Sequence, residues 1–175
     1  MEIESTAYTG ADLNSFLDEM QNHDRLNLAN RLEAASRRLA EVGARVKAGR
    51  GDGREWSDHE LLAHIATLSK FYGVLVHRVA GGQIAELNFL DSVHARDAAI
   101  DQAAALSPAD LIRMALSDHE RTIKTLRTTE PGALRRSVRI EGDTTMTAEE
   151  IARLPLISHV EMHVDQLVRS LGGQT

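Results

Sequence analysis

The chain has 175 residues, of which 42% are apolar and 26% are charged, the proportions of an ordinary globular protein. Its net charge of −6 and pI near 5.7 argue against a nucleic-acid or anionic-membrane partner, because both require clustered lysine and arginine. Cysteine is absent, which excludes disulfides and thiolate ligands. The sequence has no apolar run near the ~20 residues of a membrane span, and its first residues do not resemble a signal peptide. We expect one cytoplasmic domain spanning residues 1–175.

Hydrophobic periodicity predicts four long helices. The first extends from about Asp24 to Lys47, after a shorter helical turn at about residues 11–20. The second begins at a capping box, with Ser57 at the N-cap and Glu60 at N3, and ends at Gly81. The predicted core-facing residues are Leu28, Leu32, Ala35, Leu39, Val42 and Val46 in the first helix and Leu61, Ile65, Leu68, Tyr72, Leu75 and Val79 in the second. Trp56 and Leu61 occupy the positions of a hydrophobic staple at the start of the second helix.

The third and fourth helices have equally clear starts. Ser107 caps the third, which stops at residues 130–132, and Thr147 opens the fourth with another capping box. Pro155 lies inside the fourth segment, so we expect a kink about one turn before His159. The predicted core-facing residues are Ile112, Leu116, His119, Ile123 and Leu126 in the third helix and Ile157, Val160, Val164, Leu167 and Leu171 in the fourth.

Two long connections separate these helices. Residues 83–106 include an Ala-rich stretch that we expect to be helical in part, and residues 130–146 include Val138 and Ile140, which suggest a short extended piece. Simple up-and-down neighbours would need only short loops. We therefore predict an all-α fold, a four-helix bundle with long crossover connections.

Three histidines are candidates for a joint site. His159 and His163 are four residues apart, so on a helix their side chains stack on one face and can chelate one metal ion. His64 lies seven residues after the cap of the second helix, on a shoulder of its apolar stripe. If the second and fourth helices are antiparallel and their ends are aligned, the three imidazoles lie at the same height along the bundle axis. The alternative is three partly exposed histidines without a joint role.

The donor set determines the chemistry of such a site. Three neutral imidazoles without carboxylate or thiolate favour Zn²⁺ or Ni²⁺ over Fe²⁺ or Cu²⁺. Three protein ligands leave a coordination position open, as in catalytic rather than structural sites. That position suits either activation of water for hydrolysis or binding of a low-molecular-weight thiol as a co-substrate.

Other polar residues are secondary candidates. His119 is either a core histidine satisfied by a hydrogen bond or a residue that supports the site or transfers a proton. Gln166 is a candidate for substrate contact, and Asp165 either orients a ligand or is solvated. We interpret four further histidines as surface residues: His23, His59, His77 and His94. Three arginines in the last connection either attract a substrate carboxylate or form a solvated basic turn: Arg135, Arg136 and Arg139.

Two stretches resemble a known superfamily. WSDHELLAHIATLSKFYGVLVHRVAGG is similar to the second helix of the DinB-like bundles, and GDTTMTAEEIARLPLISHVEMHVDQLVRSLGG is similar to their last helix. That superfamily includes bacillithiol transferases, YfiT-type hydrolase-like proteins and the N-terminal domain of mycothiol-dependent maleylpyruvate isomerase. The resemblance implies metal ligands at His64, His159 and His163, although the isomerase group usually has a glutamate where His159 stands.

The resemblance also implies a function. It favours a divalent-metal-dependent enzyme, a thiol-dependent S-transferase or isomerase acting on a small electrophilic substrate, and a homodimer. The alternatives are a non-catalytic stress protein that binds a metal or small molecule, and a metal-dependent hydrolase.

Overall fold

The structure is a computed structural model that describes residues 9–52 and 55–172. Helices dominate it, and a two-stranded sheet follows the fourth helix. In chain order the helices are α1 (Gly10–Gly43), α2 (Asp58–Ala80), α3 (Phe89–Ala103), α4 (Pro108–Thr128), α5 (Ala148–Ile151) and α6 (His159–Gly172), with a 3₁₀ helix at Pro131–Arg135 and a π-helical segment at Ala152–Ser158. The strands are β1 (Ser137–Glu141) and β2 (Thr144–Thr147).

The bundle consists of α1, α2, α4 and α6. Both α1 and α2 pack against α4 and α6, so α2 and α6 are direct neighbours. The predicted all-α bundle is therefore confirmed. None of the helices in the described ranges is long and apolar enough to span a bilayer.

The first helix is longer at its start than predicted and shorter at its end. The two predicted pieces form one helix, which Thr9 caps through a capping box with Asp12 and which ends at Gly43 instead of Lys47. No Gly or Pro separates the two pieces in the sequence, so nothing local stops the helix. Its predicted core-facing residues are all buried.

Helix α2 is the most deeply buried element of the fold. It contacts α3, α4, α5, α6 and the π-helical segment, and most of its side chains are buried, including those outside the predicted stripe. A helix that is covered on nearly every side can keep polar groups only where they find partners. His64 is one of these buried polar groups.

The predicted stripe of α4 is confirmed for His119 and Leu126 and wrong for its other three residues. Ile112, Leu116 and Ile123 are only partly buried, whereas the buried positions of the helix are Leu111, Ala115, Asp118, His119, Thr122 and Leu126. Small and polar residues of the helix therefore face the bundle beside two leucines, and His119 forms hydrogen bonds there that are described below.

The connections follow the prediction. The first contains α3, which packs on α2, and the second contains an antiparallel hairpin in which Val138 pairs with Met146. Val138 is buried against the core. Gly142, in the hairpin turn, has φ of +53°, a conformation that favours glycine.

Candidate metal centre

Three histidine rings from two helices meet at one place. His64 comes from α2, while His159 and His163 come from the first two turns of α6. The ring centroids are 4.6 Å apart for His159 and His163, 4.8 Å for His64 and His163, and 5.4 Å for His64 and His159. One ring nitrogen from each histidine lies within 4.8 Å of the others. The predicted convergence of these three residues is therefore present in the structure.

Two of the ring nitrogens are buried without a hydrogen-bond partner among the described protein groups. They are Nδ1 of His64 and Nε2 of His163. Leaving a buried polar atom unsatisfied costs roughly 1–3 kcal/mol, so such atoms call for an explanation. A metal ion bound by both lone pairs supplies one, and the residues fit such an ion.

The orientation of His163 follows from Gln166. The Nδ1 atom of His163 lies 3.1 Å from Oε1 of Gln166, one turn further along α6. An amide oxygen only accepts, so Nδ1 carries the proton and donates it. That tautomer leaves a lone pair on Nε2, the atom without a partner. Gln166, predicted as a candidate for substrate contact, thus contacts a candidate ligand.

All three imidazoles are held in the neutral form that binds metals. Burial is the largest cause in each case, and it lowers the pKa of His64 to about 3, with further lowering by the charges of His163 and His159. Burial also lowers the pKa of His159 and of His163. Proton competition for these nitrogens is therefore weak near neutral pH.

The start of α2 is fixed next to His64. Ser57 and Glu60 form the predicted capping box, and Glu60 also accepts a hydrogen bond from the Gly51 backbone N–H at 2.8 Å. Trp56, predicted as part of a hydrophobic staple, packs with its ring centroid 4.5 Å from that of His64. Trp56 is 54% exposed, whereas His64, which it contacts, is buried.

The segment before α6 widens at Pro155 instead of making a simple kink. Residues Ala152–Ser158 are π-helical, and the backbone N–H of His159 bonds to the carbonyl of Leu156. A proline has no N–H to donate, and π-helical turns occur frequently at functional sites. A hydrogen bond between the His159 ring and the Pro155 backbone raises the pKa of His159, against the larger effect of burial. The wide turn thereby helps to orient His159.

His119 does not belong to this cluster. Its side chain is buried between α1 and α2, where Nδ1 lies 2.8 Å from the Ser36 hydroxyl and Nε2 lies 2.7 Å from the Ser69 hydroxyl. Burial lowers the pKa of His119 to about 4. This placement matches the core alternative of the prediction, with two hydrogen bonds instead of one.

The other charged candidates pair with groups of the protein. Asp165 forms an ion pair with Arg38 of α1. Arg135 pairs with Asp18 at 3.1 Å, and Arg139 pairs with Glu86. Arg136 donates to the carbonyl of Ala80. These contacts tie the second connection to the bundle and place none of the three arginines in the histidine cluster.

The prediction that His59 is a surface residue is wrong. Its side chain is buried, and Nε2 donates to the Leu106 carbonyl at 2.8 Å, while Nδ1 accepts from the Gly49 N–H at 3.2 Å. Loops that precede α2 and α4 fold over this residue, a contact that helical angle alone does not reveal. His77 and His94 are exposed, as predicted, and so is His23.

Sequence reasoning did not single out Arg96. It lies on α3, its side chain is 19% exposed, and its positive charge contributes to the lowered pKa of both His64 and His159. The Ala-rich composition of the first connection indicated a helix there. It gave no sign of which α3 residue would face the histidines, because that depends on how α3 packs against α2.

The family model of the DinB superfamily matches residues 22–167. The chain belongs to this superfamily. No curated protein shows a significant match to the chain.

Two solved structures share the fold. A crystal structure of the mycothiol-dependent maleylpyruvate isomerase is 24% identical with a TM-score of 0.64, and a histidine-to-alanine mutant of a mycothiol-dependent maleylpyruvate isomerase is 20% identical with a TM-score of 0.65. Each comparison covers 83% of this chain and 60% of the other chain. At these identities the likeness shows the fold. The mutant structure is likewise that of an isomerase. The thiol dependence of these two enzymes is a property of those enzymes.

Proposed function

We propose that His64, His159 and His163 together bind one divalent metal ion, Zn²⁺ or Ni²⁺. The observation that carries the proposal is the pair of buried nitrogens without a partner among the described residues, Nδ1 of His64 and Nε2 of His163, in two rings that belong to one cluster. When bound, such an ion supplies a Lewis acid with a coordination position open to water or a thiol.

The donor set supports a catalytic site over a structural one. Three neutral imidazoles leave the full charge of the ion uncompensated by the protein, because no carboxylate or thiolate contributes to the cluster of described residues. The isomerase group usually has a glutamate at the position of His159. We expect the histidine to make this site a stronger electrophilic centre, since one negative charge is replaced by a neutral donor.

We infer that the reaction is a thiol-dependent S-transfer or isomerisation of a small electrophile. Membership in the DinB superfamily and the likeness to structures described as mycothiol-dependent isomerases support this class. The chain contains no cysteine, so any thiol must come from a co-substrate. The neutral site suits a thiolate, which would be attracted by an uncompensated cation.

The protein's own side chains would position these reactants. Gln166 holds the His163 tautomer that exposes Nε2, and the π-helical segment orients His159. Trp56 packs on His64 and reduces access of water on that side. These residues orient the site and limit its exposure without themselves supplying a nucleophile.

Two other functions compete with this one. A non-catalytic protein that binds a metal or small molecule is favoured by the lack of a general base within the cluster: among the described residues, no further histidine and no carboxylate joins the three ligands. A metal-dependent hydrolase would use the same open position for water.

The test is turnover by protein loaded with Zn²⁺ or Ni²⁺. We would offer 1-chloro-2,4-dinitrobenzene and a conjugated alkene with a panel of thiols that includes glutathione, mycothiol and bacillithiol. We expect thiol consumption that requires the metal and disappears in His163→Ala, with His94→Ala as the matched control because His94 is exposed on α3. An equal rate of turnover with and without the metal would overturn the proposal. Ester hydrolysis without thiol would favour the hydrolase, and metal binding without turnover would favour the binding protein.

A further inference from the structure

A cavity lies beside the histidine cluster, between α2 and α3. It has a volume of about 560 Å³, within the range of small-molecule sites. Thr67 and Phe71 line it and continue the face of α2 that carries His64, because they follow it by three and seven residues. Arg96 and Ala99 line it from α3. None of the three histidines lines the cavity, but its lining on α2 begins at Thr67, one turn after His64.

Most of the cavity wall is apolar. The apolar residues come from α2, from the segment after it and from α3: Phe71, Val74, Leu75, Ile84, Leu87, Ala95 and Ala99. Its charged lining residues are mainly cations, Lys70, Arg78 and Arg96, while the acidic Glu86 is paired with Arg139. Such a wall favours a ligand with an apolar body and a negative charge.

Arg96 is the half-buried cation of this cavity. Its Nε and Nη2 atoms donate to Asp97 Oδ1 at 3.0 and 2.8 Å, and its Nη1 atom lies 3.4 Å from the Tyr72 hydroxyl. A guanidinium has five N–H groups, so each Nη atom retains a second N–H beyond these contacts. Paired N–H groups of a guanidinium can donate to the two oxygens of a carboxylate. Its side chain is 19% exposed, which makes it the least solvated of these cations.

We propose that this cavity binds the substrate, that the substrate is an amphipathic organic acid, and that Arg96 binds its carboxylate while its apolar body lies along Phe71 and Leu75. This inference rests on the proposed function for the role of the neighbouring metal. Arg96 is then the residue that selects anionic substrates and fixes their carboxylate end next to the histidines. Asp97 neutralises Arg96 in the ligand-free protein and competes with the substrate for it.

The first test is binding of octanoate to zinc-loaded protein, measured by isothermal titration calorimetry. We expect Arg96→Met to weaken octanoate binding roughly 10-fold or more, because a charge-assisted hydrogen bond is lost. Arg37→Met is the matched control, since it removes the same charge from an exposed position on α1 that does not line the cavity, and it should leave the affinity unchanged. Asp97→Asn should strengthen binding. Equal losses in Arg96→Met and Arg37→Met would overturn the assignment of Arg96.

The second test varies the length of the apolar chain of the ligand. From butyrate to hexanoate to octanoate, affinity should rise by roughly fourfold per added methylene if each is buried, and 1-octanol should bind more weakly than octanoate. An affinity that does not change with chain length, or that is equal for octanol, would overturn the proposed substrate class.

Metal analysis of the same samples separates this inference from the proposed function. Arg96→Met should retain its metal, because Arg96 is not a ligand. If Arg96→Met loses the preference for octanoate over 1-octanol but retains its metal, the result would support the role of Arg96 in the cavity and would leave the proposed metal site unaffected. A wild-type protein that binds no metal yet binds octanoate through Arg96 would support the acid-binding cavity and contradict the proposed function.

Discussion

The Nδ1 atom of His163 lies 3.1 Å from Oε1 of Gln166, and this contact leaves the free lone pair of the ring on Nε2, which is buried without a partner among the described residues. The exposed glutamine is one turn from the buried imidazole on the same helix. Partners of this kind fix the tautomer of a metal-binding histidine and raise its basicity. The site therefore depends on Gln166, a residue that is not itself a member of the histidine cluster.

Gln166→Leu should weaken metal binding roughly 10- to 100-fold, because Nδ1 of His163 loses its acceptor and the ring loses its fixed orientation. Competition with a chromophoric chelator measures the affinity. Gln166→Glu should retain binding, since a carboxylate also accepts from Nδ1. Gln102→Leu, an exposed position on α3, is the control. An unchanged affinity in Gln166→Leu would show that the contact is incidental.

Trp56 should report metal binding through its fluorescence. It is the only tryptophan of the chain, and its ring centroid is 4.5 Å from that of His64. Open-shell ions such as Ni²⁺ quench a nearby indole by energy or electron transfer, whereas Zn²⁺ does not. We expect saturable quenching by Ni²⁺, reversal by excess Zn²⁺ and no saturable quenching in His64→Ala. Equal quenching in that variant would place the ion elsewhere.

His119 should make stability depend on pH without affecting the metal. Burial lowers its pKa from 6.5 to about 4, so the unfolded chain takes up this proton first as the pH falls. The stabilisation is complete above pH 6.5 and is lost between that pH and about 4. We expect the Tm of metal-free His119→Gln to fall less steeply over this window than that of the wild type. Metal occupancy of the variant at pH 7 should be unchanged, and a large loss would give His119 a role at the site.

The protein should be a homodimer, a prediction that rests on the superfamily resemblance. Light scattering coupled to size exclusion should then give twice the 19.2 kDa mass of the chain. A mass equal to that of one chain over the full range of protein concentrations would contradict it.

The helices and the three histidines were predictable from local patterns. Apolar spacing identified the buried faces of α1, α2 and α6, and the caps at Ser57 and Thr147 appear in the structure. The convergence of His64, His159 and His163 followed from helical angle and axial position. These features depend on periodicity and on neighbours in sequence, which a single chain reveals.

The remaining features depend on tertiary contacts. Within the buried face of α4, His119 contacts the hydroxyls of Ser36 and Ser69, which lie on two other helices. His59 is buried by loops, and Arg96 approaches the histidines only because α3 packs on α2. Such relationships join residues far apart in the chain, and no local periodicity encodes them.

The most direct test of the account is the metal content of purified protein, measured by inductively coupled plasma mass spectrometry after chelator treatment and reloading with Zn²⁺. We expect one ion per chain in the wild type and in His77→Ala, and little in His64→Ala, His159→Ala or His163→Ala, because two imidazoles hold an ion too weakly to resist a chelator. Circular dichroism should show intact helices in all of them. One ion per chain retained in the double variant His159→Ala, His163→Ala would contradict the site.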